Sequence, residues 1–165
     1  MSSIEISKPL TTTNSAGGVS VFHTEFFNAS EKEIKYLTFT YVPYNSVGDV
    51  VSCTIKKISE ARCQLTGPIE PNRKDFIKWE NLWYNPTIST AKIKEVKIQY
   101  MDDTEETISG EDIVDVENPN SKFYQLREIE RKEEEEKNKK AKKKKLIIGG
   151  IIAIVAIILV IMMMK

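Results

Sequence analysis

Apolar and polar residues alternate over several short stretches of this chain. Leu37, Phe39 and Tyr41 share one parity, whereas Thr38 and Thr40 share the other. A period of two is typical of a β-strand with one buried face. The pattern predicts strands over residues 19–27, 34–44, 50–57, 61–65, 76–84, 88–101 and 105–109, and a further short strand over residues 113–116.

The parity of the buried positions changes within residues 88–101. Val96 and Ile98 share one parity, whereas Ala91 and Ile93 share the other. An extra residue in one strand of a pair produces such a change, so we expect a β-bulge near Lys94–Glu95.

Turn-forming residues separate the predicted strands, as at residues 45–49 and at Asn85-Pro86. Asp102-Asp103 predicts a tight hairpin. Seven or eight short antiparallel strands in about 100 residues predict an all-β fold, an immunoglobulin-like antiparallel β-sandwich over residues 17–118. We expect residues 1–16 to form a flexible N-terminus.

The end of the chain is uncharged and apolar from Leu146 to Met164. A helix of this length reaches about 28 Å, which is close to the ~30 Å hydrocarbon core of a bilayer. Although the run is rich in isoleucine, a single span in lipid must satisfy its own backbone hydrogen bonds, which favours a helix. The run therefore predicts one transmembrane helix over residues 146–164, a C-terminal anchor in a tail-anchored, single-pass protein.

Four small residues lie within the predicted anchor, Gly149, Gly150, Ala153 and Ala156. Gly149, Ala153 and Ala156 fall near one helical face, and small residues let two membrane helices approach closely. Glycine is also frequent in membrane helices for other reasons. A paired helix and an isolated helix both remain open.

Residues 119–145 predict a charged helical stalk, with Asn118 or Ser121 as its N-cap. The stalk contains Glu–Lys pairs spaced four residues apart, which stabilise a helix by a few tenths of a kcal/mol each. It ends in a polybasic flank of four lysines, Lys142, Lys143, Lys144 and Lys145. Lysines next to a membrane span favour the cytoplasmic side, and each contributes about 1 kcal/mol to binding anionic headgroups. We therefore expect the N-terminal domain to be cytoplasmic.

The formal charge of zero hides two opposed regions. Residues 1–126 hold 13 Lys and Arg against 18 Asp and Glu, a net of −5, whereas residues 127–165 hold 11 against 6, a net of +5. An acidic domain argues against nucleic acid as its partner. The first residues lack a cationic start followed by an apolar core, so we expect no cleaved secretion signal.

Candidate chemistry is sparse. Cys53 and Cys63 would lie opposite each other if a hairpin turned at residue 58, which leaves open a disulfide or two buried thiols in a reducing compartment. The single histidine, His23, has no cysteine or acidic cluster near it that would form a metal site. We therefore expect no enzymatic activity, no metal and no cofactor.

Trp79, Trp83 and Tyr84 form the densest aromatic group. Trp79 and Trp83 share strand parity, so both would fill the core between two sheets. Aromatic residues also concentrate at binding surfaces, and an exposed platform is the alternative. We take these three as candidate partner-binding residues.

Three stretches, YLTFTYVPYNSVGDVVSCTI, TGPIEP and WENLWYNPTISTAKIKEVKIQYMDDTEETI, carry a resemblance to a known family. Residues 17–109 resemble an uncharacterised bacterial immunoglobulin-like domain family of Firmicutes, most specifically at residues 45–49 and 79–84. The resemblance implies a bacterial origin and an immunoglobulin-like fold, and the family has no assigned activity. The chain departs from that family because the apolar run follows the domain and no zinc ribbon is present.

The sequence as a whole predicts a non-catalytic module on a lipid bilayer. We expect the β-sandwich to present a protein-binding surface at the cytoplasmic face, to an unknown protein partner. The alternative is an exported envelope or adhesion-type module with the domain outside the cytoplasm.

Overall fold

The computed structural model describes the backbone of residues 2–163 and the side chains of residues 2–144, except those of Phe22 and His23. Among the residues searched, no helix is long and apolar enough to cross a membrane. The predicted anchor from Leu146 to Met164 lies outside the described side chains, and so does Lys145.

The chain forms eight strands followed by one helix, and it divides into two units, residues 1–124 and 125–165. The elements are β1 (Ile4–Ile6), β2 (Leu10–Thr13), β3 (Gly18–Asn28), β4 (Ile34–Asn45), β5 (Ala61–Ile69), β6 (Lys74–Tyr84), β7 (Ile88–Tyr100), β8 (Glu105–Ser109) and α1 (Lys122–Met163).

The strands form two antiparallel sheets. In the first sheet, β1 and β2 pair with one edge of β3, and β6 pairs with the other edge. In the second sheet the order is β5-β4-β7-β8. The prediction of an antiparallel, sandwich-like arrangement is therefore confirmed.

The core consists of the inward faces of these strands. Leu37, Phe39 and Tyr41 of β4 are fully buried, as are Val96 and Ile98 of β7. The alternation read from the sequence therefore places the correct faces inward. The strand pairing explains the change of parity in β7, because Thr40 pairs with Glu95 while Tyr41 pairs with Ile93.

The extra residue of β7 is thus Lys94, which confirms the predicted bulge. The predicted hairpin between β7 and β8 is also confirmed. The Tyr100 N–H donates to the Thr104 carbonyl at 2.9 Å, and Asp103 takes the left-handed conformation with a φ of 60°, which Asp tolerates in turns.

Two predicted strands are wrong. Residues 50–57 form a loop, in which only Val50 makes an isolated bridge, to Tyr44. The apolar residues that suggested a strand lie partly in solvent, since Ile55 is 67% exposed. Residues 113–116 contribute only a single parallel bridge, between Val114 and Glu5.

The N-terminus is the third correction. We expected residues 1–16 to be flexible, but they contain β1 and β2. Ile4 and Ile6 are 0% and 2% exposed. Such short strands are marginal alone and form because β3 supplies hydrogen-bond partners and the core covers their side chains.

Helix α1 begins at a defined N-cap. The Ser121 hydroxyl accepts the N–H of Tyr124 at 3.0 Å and donates to the Val116 carbonyl at 3.1 Å, which selects Ser121 from the two predicted caps. In the second unit, Arg131 contacts both Glu128 and Glu135 at 2.8 Å. The surface of residues 130–144 is exposed, as predicted for a charged stalk.

Candidate functional site

The aromatic group does not form an exposed platform. Trp83 is fully buried between the sheets, and Trp79 and Tyr84 are partly buried against the same core. The core interpretation therefore holds for Trp83. Its indole is closed to a partner in the folded domain, whereas the binding role of the partly exposed Trp79 and Tyr84 stays a prediction.

Cys53 and Cys63 are both free and buried. Cys63 lies in β5 opposite Phe39 of β4, whereas Cys53 lies in the loop that replaced a predicted strand. The expected hairpin at residue 58 does not form, so the two cysteines are not cross-strand neighbours. The Cys53 Sγ instead accepts the N–H groups of Lys56 and Tyr84, each at 3.3 Å.

The pKa values of the two thiols are shifted in opposite directions. Burial raises the pKa of the Cys63 thiol to about 11. Burial acts in the same direction on Cys53, but donation from the backbone N–H groups of Lys56, Tyr84 and Ile55 and the charge of Lys56 together lower its pKa below the ordinary value. Cys53 is 0% exposed, so its thiol is a structural acceptor that anchors the loop.

The acidic residues of the β7–β8 hairpin are held in ion pairs. Asp102 contacts Lys32 at 2.7 Å, and Asp103 contacts Lys35 at 2.7 Å. Hydrogen bonds from Lys32 and then from Thr104 lower the pKa of Asp102 to about 2. Among the described residues, no group of three or more His, Cys, Asp or Glu is placed to hold a metal ion.

A groove of about 980 Å³ runs along the side of the sandwich, beside the first half of β7. Its floor is formed by residues 90–94. Ile6 of β1 and residues 7–9 after it line one side, and residues 109–111 with Ile113 and Asp115 line another. Val42, Tyr44, Val50, Ser59 and Glu60 complete the lining. The groove therefore lies where the edges of the two sheets meet.

The groove exists because β8 is shorter than β7. Strand β8 pairs only with residues 95–99 of β7. The N–H of Gly110 then donates to the Lys94 carbonyl at 2.7 Å, after which the chain turns away. A Cβ at Gly110 would overlap the carbonyl oxygen of Ile93, so glycine allows this close approach. The first half of β7 therefore has β4 as its strand partner on one side and the groove on the other.

The direction in which the peptide groups of β7 point follows from the hydrogen bond made by Pro43 of β4. Its carbonyl accepts the N–H of Val51 at 3.1 Å, on the side of β4 away from β7. Successive residues of a strand direct their peptide groups to opposite edges. The N–H and C=O groups of Val42 therefore point toward β7, where Val42 pairs with Lys92.

Ala91 and Ile93, the neighbours of Lys92, consequently direct their peptide groups into the groove. Ser89 has the same parity, and its carbonyl accepts the Thr11 hydroxyl at 2.8 Å on this edge, which supports the assignment. Outside the strand ladders, no hydrogen bond between described residues involves the backbone of Ala91 or Ile93. This part of the edge is nevertheless closed to another chain, because Ala91 is 3% exposed and the carbonyl oxygen of Ile93 lies against Gly110.

Among the described lysines that line the groove, one has an ion-pair partner and the others do not. Lys94 pairs with Glu60 at 2.7 Å. Lys92 lies over the ring of Tyr44, with its Nζ 4.7 Å from the centroid, and Lys8 has no ion-pair partner among the described side chains. The lining of the groove as a whole holds three lysines, Lys8, Lys92 and Lys94, and three acids, Glu60, Glu111 and Asp115, so its formal charges balance.

The loop of residues 46–59 carries exposed apolar side chains, and Val50 and Ser59 of this loop line the groove. Val47 is 78% exposed and Val50, which also lines the groove, is 53% exposed. Ile55 and Ile58 of the same loop are 67% and 43% exposed. Clustered exposed aliphatic side chains mark interaction surfaces more often than isolated ones do.

The sequence contained one indication of this groove. Residues 88–101 and 105–109 were predicted as partners in a hairpin, although the second is much shorter than the first. Such a mismatch leaves part of the longer strand unpaired, unless another segment covers it.

The comparisons with known proteins add no relative. No family model matches the chain, and no curated protein or solved structure matches it significantly. The resemblance to the Firmicutes immunoglobulin-like family stays a prediction, and the functional argument rests on the groove and the loop beside it.

Proposed function

We propose that this chain is a membrane-anchored, non-catalytic β-sandwich module that presents a protein-binding surface at the cytoplasmic face of a membrane. The observation that carries the binding role is a groove of about 980 Å³ beside a loop with exposed aliphatic side chains, Val47, Val50 and Ile55. A groove beside exposed aliphatic side chains suits a protein partner, whose own apolar side chains can cover them.

The anchor is proposed from the sequence. The apolar run from Leu146 to Met164 has the length of a bilayer span. The described side chains of the preceding flank, Lys142, Lys143 and Lys144, are exposed, which suits contact with anionic headgroups. The excess of lysine on this flank favours a cytoplasmic domain.

The immunoglobulin-like assignment is part of the same proposal. Two antiparallel sheets, with β3 and β6 in one and β4, β7 and β8 in the other, support it, since immunoglobulin-like domains interleave their strands between two sheets. The absence of enzymatic activity is proposed from composition, because one histidine and two buried thiols offer no acid–base pair.

Topology is tested with an epitope placed before Ser2 and protease added to intact cells and then to lysed cells. We expect the epitope to survive until lysis and the protein to remain in membranes after carbonate extraction. Deletion of residues 146–165 should release it, whereas the fourfold change of Lys142 to Lys145 to Gln should retain it with weaker cytoplasmic bias. Loss of the epitope from intact cells would instead establish the exported topology.

Partner binding is tested in the same cells with a photo-crosslinking residue at Val50, beside the groove. The matched control carries it at Phe76 of β6, which is 64% exposed and does not line the groove. We expect one defined protein adduct from position 50 and none from position 76. Equal adducts from both positions, or none from position 50, would contradict the proposal.

A further inference from the structure

We propose that the core of the sandwich contains a binding site for one water molecule, formed by the side chains of Thr24, Tyr41 and Trp79. Thr24 of β3 and Trp79 of β6 belong to the first sheet, whereas Tyr41 of β4 belongs to the second. None of the three lines the groove. The site therefore lies between the two sheets and is independent of the proposed binding surface.

A bulge in β3 turns Thr24 toward the core. Val21 pairs with Trp79 and Thr24 pairs with Ile77, so the two residues of β3 between these pairs oppose a single residue of β6. Val21 and Thr24 are both 0% exposed although they are three residues apart, because the extra residue shifts the inward face of the strand by one position. The bulge thus places a hydroxyl where alternation alone would have directed it outward.

Three buried polar atoms meet at this position, Thr24 Oγ1, Tyr41 Oη and Trp79 Nε1. Within the described part of the chain, none of these atoms has a hydrogen-bond partner. Burial raises the pKa of the Tyr41 hydroxyl, whereas Thr24 and Trp79 act in the opposite direction, which requires both side chains to lie beside that hydroxyl. The three groups are therefore neighbours that do not satisfy one another.

Water is the ligand that matches these three groups. Buried polar groups are costly to leave unpaired, and polar groups that are close without bonding directly are commonly bridged by water. The indole N–H only donates, whereas each hydroxyl both donates and accepts. A water molecule that accepts from Trp79 and Tyr41 and donates to Thr24 makes the about three hydrogen bonds typical of a buried water. It joins the first sheet to the second.

The surroundings of the site exclude a charged ligand. The Tyr41 ring stacks on Phe39 with centroids 5.9 Å apart, and Trp79 packs against the same hydrophobic core. An unpaired ion in such surroundings is far more costly than a neutral molecule. Trp83 Nε1 is also buried and without a partner among the described residues, but Trp83 is not one of the groups that shift the pKa of Tyr41, so it is not assigned to this site.

Solution NMR of the full chain in lipid nanodiscs, with the tryptophan indole nitrogens labelled, tests the site. We expect the indole proton of Trp79 to show a rotating-frame NOE to the water resonance, with the sign that direct dipolar contact gives. The variant Trp79→Phe assigns this signal by removing it. A wild-type chain without the cross-peak would show that no water is bound at Trp79, and the proposal would be wrong.

Two single variants separate a bound water from a hydroxyl proton that exchanges with solvent, because such a proton gives the same cross-peak. In Thr24→Val and in Tyr41→Phe the water keeps two of its partners, so the cross-peak should persist in both. The double variant, which carries both changes, leaves only the indole donor and should lose the cross-peak. The matched control Tyr36→Phe removes a hydroxyl from a half-buried tyrosine of the same strand and should leave the cross-peak unchanged.

Loss of the cross-peak in either single variant would show that the deleted hydroxyl itself supplied the signal, and it would overturn the proposal. Persistence in the double variant, or loss in Tyr36→Phe, would overturn it as well. The wild-type measurement stands without any variant, so the proposal stays testable even if the double variant does not fold.

Discussion

The carboxylate of Glu5 closes the amino end of helix α1 by accepting the backbone N–H of Phe123 at 2.9 Å. Its other oxygen accepts the N–H of Lys122 at 2.6 Å. Glu5 is 4% exposed and comes from β1, at the opposite end of the chain. The negative charge suits the positive end of the helix dipole, and it ties the first turn of α1 to the N-terminal strand.

Phe123 completes the attachment of this first turn. Its ring packs against Phe27 of β3, with centroids 5.4 Å apart, and the Nζ of Lys74 lies 4.9 Å from its centroid. The start of the helix is therefore fixed to the sandwich by a buried carboxylate and by aromatic packing.

Glu5→Ala should lower the free energy of unfolding by about 2 kcal/mol, because two backbone donors lose a charged acceptor. Glu5→Gln keeps one acceptor oxygen and should lie between this variant and the wild type. Denaturant unfolding measures the stability, and hydrogen exchange at Lys122 and Phe123 locates the change. Unchanged exchange at these two amides in Glu5→Ala would contradict the capping role.

Cys53→Ala should destabilise the domain by about 1 kcal/mol, since it leaves the partly buried N–H groups of Lys56 and Tyr84 without their acceptor. Cys53→Ser restores an acceptor and should recover part of that loss. Cys63→Ala is the matched control, because among the described residues none forms a hydrogen bond with the Cys63 thiol. Equal stability of Cys53→Ala and Cys53→Ser would argue against the sulfur as an acceptor.

Trp83→Ala should lower the free energy of unfolding by about 3–5 kcal/mol, because it opens a cavity in a filled core. The control Phe76→Ala removes an aromatic ring that is 64% exposed in the adjacent part of β6, and it should cost less than about 1 kcal/mol. Thermal unfolding of both variants makes the comparison. Similar losses would contradict the placement of Trp83 in the core.

Lowering the pH should destabilise the β7–β8 hairpin only in strongly acidic solution. The pKa of Asp102 is lowered to about 2 by Lys32 and Thr104, whereas an unfolded aspartate titrates near 3.9. A depressed pKa adds stability that is fully present above the unfolded value and is lost as pH falls toward 2.

A carboxyl-detected NMR titration should show Asp102 still ionised at pH 3. In Lys32→Met the midpoint should move up toward the ordinary value, while Lys35→Met should leave Asp102 nearly unchanged and shift Asp103 instead. A midpoint near 3.9 for Asp102 in the wild type would refute the ion pair with Lys32.

Local sequence was sufficient for the long strands, for the bulge at Lys94 and for the hairpin at Asp102-Asp103, because alternation and turn chemistry act over a few neighbouring residues. It was insufficient for β1, whose three residues are stabilised by pairing with β3. It also misplaced residues 50–57, where Cys53 folds inward as an acceptor while the apolar Ile55 remains exposed.

The sequence by itself determined which faces of the strands are buried, together with the apolar run from Leu146 and the lysines before it. Only the tertiary structure decided that Glu5 meets Phe123, that Trp83 is closed to partners, and that β8 leaves Ala91 and Ile93 unpaired. The physical reason is that side-chain alternation specifies the face of a strand, whereas the pairing of its edges depends on backbone groups from residues far apart in the chain, which no local pattern encodes.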